Sequence, residues 1–132
     1  MIFNGVISAE KVSGLELLWE NPNPASQFNP QTINLPTGYS AFIVEFKEST
    51  TSTSTLRAAL YVPFSTTRRY IDIFVTTSTY WYYNNTGRYI TSAIDGSVTF
   101  GDGYHGNTSD DSLSTNNSYA IPTAIYGLKF TI

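Results

Sequence analysis

Near its end the chain reads Ala120-Ile121-Pro122-Thr123-Ala124-Ile125-Tyr126-Gly127-Leu128-Lys129-Phe130, a run of apolar and aromatic residues. A second such stretch, Leu15-Glu16-Leu17-Leu18-Trp19-Glu20-Asn21-Pro22, lies near the beginning. In small all-β domains the first and last strands often lie side by side or on facing sheets. We therefore expect these two strands to close one hydrophobic core with Trp19 inside it.

The composition favours β-structure and a surface with few charges. The 132 residues include ten Tyr and eight Phe, and residues of this type suit a pleated, half-buried surface. Charged residues make up 13% of the chain, against about 25% in an average globular domain. A length of 132 residues predicts one domain. Together these features are typical of an extracellular or particle-surface protein rather than of a cytosolic enzyme.

Several classes of partner and cofactor are disfavoured by residue counts. The net charge of −3, with scattered basic residues, argues against nucleic acid, which is bound mainly through clustered Lys and Arg. The chain has no Cys and one His, so neither a thiolate site nor a transition-metal site is expected. Its start lacks a signal-peptide pattern, and no apolar run approaches the roughly 20 residues of a membrane helix. We expect no cofactor, no metal and no membrane insertion.

The chain is predicted to have two parts, an N-terminal arm at 1–12 and a β-domain at 13–132. The arm is too short to pack a core of its own. It either docks on a neighbouring subunit or particle, or adds an edge strand to its own domain. Its candidate contact residues are Ile2, Phe3, Val6 and Ile7.

Alternation of apolar and polar residues predicts about eight or nine short strands, and no helical period. In the first strand Leu15, Leu17 and Trp19 would share the inward face. Turn and loop composition is concentrated at Glu48–Thr55, Asn84–Gly87 and Gly101–Asn117, which we expect to face outward. The predicted fold is a single antiparallel β-sandwich or jelly roll, all-β, with a short N-terminal arm.

The consecutive aromatic residues Tyr80, Trp81, Tyr82 and Tyr83 form the first candidate site. Alternation along a strand sends two of them to each face, so one pair is left outside the core. Outward aromatic rings stack on sugars or anchor subunit interfaces. A third interpretation is cross-strand packing beneath a neighbouring loop, and the sequence leaves all three open.

Polar clusters give weaker signals. Asp102, Asn107, Asp110 and Asp111 could supply oxygen ligands to calcium, but their spacing does not match a known calcium loop, and Asp and Asn also form turns. We expect His105, which lies in the same predicted loop, to be solvated.

No catalytic set stands out. The G-x-S-x-G motif that carries a nucleophilic serine is absent from the sequence. The carboxylates that could be paired for glycoside cleavage are Glu16, Glu20, Glu45, Asp72 and Asp95, and no pair is distinguished by its position. We therefore expect a protein that is not an enzyme.

Motifs at 15–47 and 97–132 agree in order with those of one family. The first part carries Leu17-Leu18-Trp19-Glu20-Asn21-Pro22-Asn23-Pro24, Phe28, Gln31-Thr32-Ile33-Asn34-Leu35 and Tyr39. The second carries Phe100-Gly101-Asp102-Gly103-Tyr104 and Ile121-Pro122-Thr123-Ala124-Ile125-Tyr126-Gly127-Leu128-Lys129. In these motifs the chain resembles a module of bacteriophage tail-associated and other virion surface proteins.

The resemblance implies a virion structural protein, made in the host cytoplasm without a signal peptide. Such modules usually form the C-terminal end of longer chains, whereas this chain is little more than the module. It would therefore be a small separate component: a capsid decoration protein, a head-fibre subunit or a tail-tip subunit. It would dock on other virion proteins and display its loops, aiding host attachment. By analogy it would be a homo-oligomer, with a trimer favoured, and a host surface glycan would be a further partner. The alternative is a lectin-like carbohydrate-binding module that uses Tyr80–Tyr83.

Overall fold

Nine β-strands make up the part of the chain that is described. The computed structural model describes residues 12–61, 69–76, 83–92, 96–107 and 112–130. The strands are β1 (Val12–Glu20), β2 (Gln31–Asn34), β3 (Ala41–Ser49), β4 (Leu56–Tyr61), β5 (Arg69–Thr76), β6 (Tyr83–Ser92), β7 (Ser97–Asn107), β8 (Ser112–Thr115) and β9 (Tyr119–Phe130). The described residues contain no helix.

The strands form two antiparallel sheets. Sheet A has the order β1-β9-β3-β4, and sheet B has the order β2-β7-β6-β5 with β8 paired to β7. Strand β6 takes one edge of β7 along most of its length. Strands β2 and β8 therefore share the other edge, with β2 at 97–100 and β8 at 104–107.

The hydrophobic core lies between the two sheets. Sheet A contributes Phe42, Val44 and Phe46 on alternate positions of β3, and all three are buried. The remaining buried cluster comes from both sheets and the loops: Phe28, Leu35, Ile90, Val98, Phe100, Ala120, Ile121 and Ile125. The chain is therefore an all-β antiparallel sandwich, and the fold class predicted from the sequence is confirmed.

The first and last described strands lie side by side, which is one of the two arrangements that the sequence left open. Trp19 of β1 pairs with Ile125 of β9, which is buried. The Trp19 ring meets Phe28 edge-on at 5.9 Å and Phe100 at 6.2 Å between centroids. Aromatic contacts of this geometry add about 0.5–1.5 kcal/mol to the burial of their area. The two strands thus contribute to one interior.

The side chains of β1 do not all face the core in the way that the sequence predicted. Leu15 and Leu17 are 38% and 52% exposed, whereas Trp19 packs against the core. The register of β1 against β9 shifts between Leu17 and Trp19, which marks a bulge. An extra residue in a strand reverses the face of every side chain after it. The prediction that the three residues share an inward face is therefore wrong for Leu15 and Leu17.

The segment predicted as a turn at 84–87 and much of the segment predicted as a loop at 101–117 are β-strands. Residues 84–87 lie within β6 and pair with both β5 and β7. Residues 101–107 continue β7, and β8 occupies part of the predicted loop at 101–117. The glycine at 103 is needed for close approach rather than for a turn, because a β-carbon there would lie 2.7 Å from the carbonyl oxygens of Asn116 and Tyr119. The segment after β3, by contrast, is a loop as predicted.

Candidate functional site

The residues predicted for docking and for stacking on sugars lie almost entirely outside the described part of the chain. The arm residues Ile2, Phe3, Val6 and Ile7, and the aromatic residues Tyr80, Trp81 and Tyr82, belong to this group. Tyr83 begins β6, where its backbone pairs with Thr76 of β5. The docking role of the arm and the sugar-binding role of the aromatic residues therefore stay predictions.

Among the described residues, the largest fully buried side chain is that of Arg88, in the middle of β6. It has no solvent exposure, which is rare for a charged residue. A buried charge is costly unless hydrogen bonds replace its water. The surroundings of Arg88 therefore determine whether this centre is a functional site or a structural one.

Backbone carbonyl groups surround the Arg88 guanidinium. Its Nε donates to the carbonyl oxygen of Ala120 at 2.8 Å, and Nη1 donates to that of Gly101 at 2.7 Å. Nη2 donates to the carbonyl oxygen of Tyr119 at 3.0 Å. The ring of Phe28 lies 5.2 Å from the guanidinium carbon, within the range of a cation–π interaction.

The backbone at Ala120 adopts an unusual conformation that helps to hold this charge. Its φ of +51° is in the left-handed region, which an alanine seldom occupies. Successive carbonyl groups of a regular strand point in opposite directions, yet those of Tyr119 and Ala120 both accept from Arg88. The local strain therefore directs two acceptors toward one cation.

Asn117 joins the guanidinium to Asp102, because Arg88 Nη1 also donates to Asn117 Oδ1 at 3.4 Å. Its Oδ1 accepts from the backbone N–H of Gly103 at 2.8 Å, and its Nδ2 donates to Asp102 Oδ1 at 3.1 Å. Burial lowers the pKa of Arg88 to about 10, and the charge of Asp102 opposes that shift. The side chain is thus still cationic at neutral pH. Because its donors are used by the protein itself, we assign this centre a structural role.

The calcium prediction receives no support from the geometry. The side chain of Asp102 is engaged with Asn117, and Asp110 and Asp111 lie outside the described residues, as does Asp95. Among the residues that the structure describes, no group of three or more His, Cys, Asp or Glu side chains could hold a metal ion.

His105 is half-buried and packed against other side chains, whereas the sequence predicted a freely solvated side chain. Its ring stacks on that of Tyr119 with centroids 3.7 Å apart and planes 12° from parallel. Its Nδ1 lies 2.9 Å from Thr86 Oγ1, within hydrogen-bond distance. The sequence could not indicate this contact, because the three residues come from β6, β7 and β9 and are joined only by folding.

The outer face of sheet A carries an apolar row. Leu17 of β1 pairs with Tyr126 of β9, which in turn pairs with Ile43 of β3. Leu15 similarly pairs with Leu128. Directly opposed residues of an antiparallel pair lie on the same face. We call Leu15, Leu17, Ile43, Tyr126 and Leu128 the apolar row.

A groove of about 390 Å³ adjoins the apolar row on the same face. Two of the carboxylates considered for catalysis, Glu20 and Glu45, belong to its lining, whereas Glu16 accepts a hydrogen bond from Tyr39 elsewhere. Asp72 lies in β5. The groove is lined by Leu17, Glu20, Asn21, Pro24, Glu45, Lys47, Ser52, Thr53, Thr55, Thr123, Ala124 and Tyr126.

Comparisons with known proteins identify no relative: no family model matches the sequence, and no curated protein or solved structure matches it. The resemblance to the virion module therefore stays a prediction. In the described ranges, the structure contains no helix that is long and apolar enough to cross a membrane.

Proposed function

We propose that this chain is a bacteriophage virion structural protein, a small capsid decoration, head-fibre or tail-tip subunit. On this proposal it docks on the particle and displays surface loops that aid host attachment. The observation that carries the proposal is the exposure of Leu15 and Leu17 on β1, the strand that directly follows the predicted arm.

An exposed apolar pair on an edge strand is a liability for an isolated protein and an advantage for a docked one. In the described residues β1 pairs on one side, with β9. Burying a leucine side chain fully contributes about 1.5–3 kcal/mol. Exposed apolar surface beside a sheet edge is the kind of surface that partners cover.

Two leucines do not make a complete interface. Stable protein contacts bury about 1,200–2,000 Å² in total, far more than two side chains provide. The predicted arm at 1–12, with its four apolar residues, would extend the contact from the same end of β1. The proposed docking surface is therefore the arm together with the apolar row.

The interior is consistent with a scaffold. The fully buried cation Arg88 donates to carbonyl groups of Ala120, Gly101 and Tyr119 and to Asn117. The core around it is built from aliphatic and aromatic side chains. A domain with such an interior would be a rigid platform, and its outer surface would be the part that binds partners.

Mass spectrometry of purified virions tests the proposal. We expect peptides of this chain in gradient-purified particles of the phage that encodes it, at a stoichiometry that matches a symmetric shell or fibre. Immunogold labelling of the same particles would then separate a head position from a tail position. Absence of the chain from particles that are otherwise complete would overturn the proposal.

A further inference from the structure

We propose that the groove on the outer face of sheet A binds a neutral saccharide. The site is made entirely by described residues, and it shares Leu17 and Tyr126 with the apolar row, so a saccharide and a docked particle would compete for these two side chains. The inference differs from the sugar-binding prediction at Tyr80–Tyr83, because none of those residues lines the groove.

The floor of the groove is a single small side chain. Ala124 of the central strand β9 pairs with Glu20 of β1 on one side and with Glu45 of β3 on the other. Neighbouring strands lie about 4.8 Å apart, so the two glutamates are based about 10 Å from each other. The methyl group between them is short, and a slot therefore opens above it.

The end of the slot that adjoins the apolar row is apolar. Tyr126 is two residues along β9 from Ala124 and faces the same side of the sheet, and Leu17 lies opposite it. Sugar rings have one face rich in C–H groups, and that face packs against aromatic and aliphatic surfaces. Tyr126 and Leu17 provide such a surface next to the polar floor.

The polar groups of the groove are held in place before any ligand arrives. Thr123 Oγ1 donates to Glu45 Oε1 at 3.2 Å and lies 3.1 Å from its carbonyl oxygen. Lys47 Nζ donates to the carbonyl oxygen of Thr50 at 3.1 Å and more weakly to that of Ser52. Preorganised groups lose little entropy when they bind, which suits a ligand that contributes mainly hydrogen bonds.

The loop fixed by Lys47 supplies the opposite rim. Ser52, Thr53 and Thr55 line the groove there, and their hydroxyl groups both donate and accept hydrogen bonds. A carboxylate accepts hydrogen bonds from adjacent hydroxyl groups, which is the pattern that a sugar presents. The volume of about 390 Å³ is at the lower end of the range of about 300–1,000 Å³ for small-ligand sites.

The charges of the groove select a neutral ligand. The charged side chains that line the groove are Glu20, Glu45 and Lys47, which give two negative charges against one positive charge. An acidic sugar would bring a further negative charge between the two carboxylates, which is unfavourable. We therefore infer a neutral saccharide rather than a sialylated or uronic one.

Titration followed by amide NMR tests this inference. The neutral probes are maltotriose, cellotriose and chitotriose, and the acidic probes are sialyllactose and trigalacturonic acid. We expect at least one neutral probe to bind with a Kd of about 1 mM or tighter, shifting the amide signals of Thr53, Ala124 and Tyr126. No shift at these positions with any neutral probe, or tighter binding of the acidic probes, would overturn it.

Substitutions in and beside the groove test whether the saccharide binds at this site. Glu20→Gln and Tyr126→Ala should each weaken binding about tenfold or more, and Ala124→Leu, which fills the floor, should abolish it. Leu15→Ala, on the same face but outside the groove, should leave affinity unchanged. Because Glu20 is exposed, Glu20→Gln keeps the test valid if Ala124→Leu fails to fold. Binding that is abolished by Trp81→Ala and unaffected by Tyr126→Ala would also refute the proposal.

The outcome is separable from that of the virion proposal. Saccharide binding is measured on the isolated chain, whereas the virion role is measured by the composition of particles. Either result can be positive while the other is negative.

Discussion

Gly103 lies so close to Arg88 that a β-carbon at position 103 would come within 2.8 Å of Arg88 Nη2. The same β-carbon would lie 2.7 Å from the carbonyl oxygens of Asn116 and Tyr119. Two of these three neighbours are backbone atoms, which cannot move aside as a flexible side chain can. The absence of a side chain at 103 is therefore what allows β7, the turn at 116–118 and the guanidinium to meet.

Replacing Gly103 by alanine should destabilise the fold by about 2 kcal/mol or more, because the added methyl group has to displace backbone or the buried cation. Urea unfolding followed by tryptophan fluorescence measures the change. The matched control is Gly101→Ala, where the new β-carbon would lie 3.1 Å from Tyr89 Cβ and 3.8 Å from the nearest other atom. Equal unfolding midpoints for the two variants would contradict this account.

Removing the guanidinium of Arg88 should lower the free energy of unfolding by more than the Gly103 substitution does. In Arg88→Met the carbonyl groups of Gly101, Tyr119 and Ala120 lose their donor while staying buried, and we expect a loss of about 3–5 kcal/mol. Arg88→Lys should recover only part of this, since one ammonium group does not match a planar set of acceptors.

The control for that series is Lys129→Met. The Lys129 ammonium lies over the Tyr39 ring at 4.6 Å and its side chain is exposed, so we expect a change below about 1 kcal/mol. Denaturant unfolding of both variants gives the comparison. If Arg88→Met were no more damaging than Lys129→Met, the assignment of a structural role to Arg88 would be wrong.

Tyr39 should lose its hydroxyl proton at a higher pH than an ordinary tyrosine, because its pKa is raised. Its hydroxyl donates to the Glu16 carboxylate, and this hydrogen bond raises the pKa of Tyr39 above 10.0, helped by partial burial and by the charge of Glu16. Because the folded-state pKa is the higher one, the stabilisation is fully present below the unfolded pKa. It is lost as pH rises through the folded pKa.

Carbon-13 NMR of the tyrosine Cζ atoms against pH would report this titration residue by residue. In Glu16→Gln the acceptor loses its charge, so the Tyr39 pKa should move back toward 10.0. An unchanged Tyr39 titration in that variant would show that Glu16 is not the cause.

Because the bulge in β1 turns Trp19 inward and leaves Leu17 outside, substitutions at these two apolar residues should differ in their effect on stability. Trp19→Ala should cost about 3 kcal/mol, because it removes ring contacts with Phe28 and Phe100. Leu17→Ala should change stability by less than about 0.5 kcal/mol, since Leu17 is 52% exposed. Thermal unfolding of the two variants tests this, and a larger loss for Leu17→Ala would place Leu17 in the core instead.

The sequence was informative where alternation runs without interruption. Phe42, Val44 and Phe46 occupy alternate positions of β3, the spacing of a strand with one buried face, and all three are buried. In β1 the same reasoning failed, because a bulge adds one residue to the register and leaves no trace in the pattern of apolar residues. The fold class could thus be predicted while the face of individual residues could not.

The polar features depend on contacts between distant strands. An arginine in a strand is expected to face solvent, and the carbonyl groups that bury Arg88 belong to a backbone conformation at Ala120 that the residue type disfavours. The groove likewise arises from the register that places Ala124 between Glu20 and Glu45. Neither arrangement is encoded locally, so neither could be predicted before the pairing and packing of the strands were known.

The proposed docking surface gives the last prediction. The double variant Leu15→Ser, Leu17→Ser should bind particles that lack this protein at least about tenfold more weakly than the wild-type chain, since burial of even one leucine contributes about 1.5–3 kcal/mol. Both side chains are exposed, so the melting temperature of the isolated chain should hardly change. Co-sedimentation with the particles measures affinity. Size-exclusion chromatography with light scattering shows whether the same face joins copies of the chain. Wild-type affinity and an unchanged oligomeric state in the double variant would exclude this face from docking.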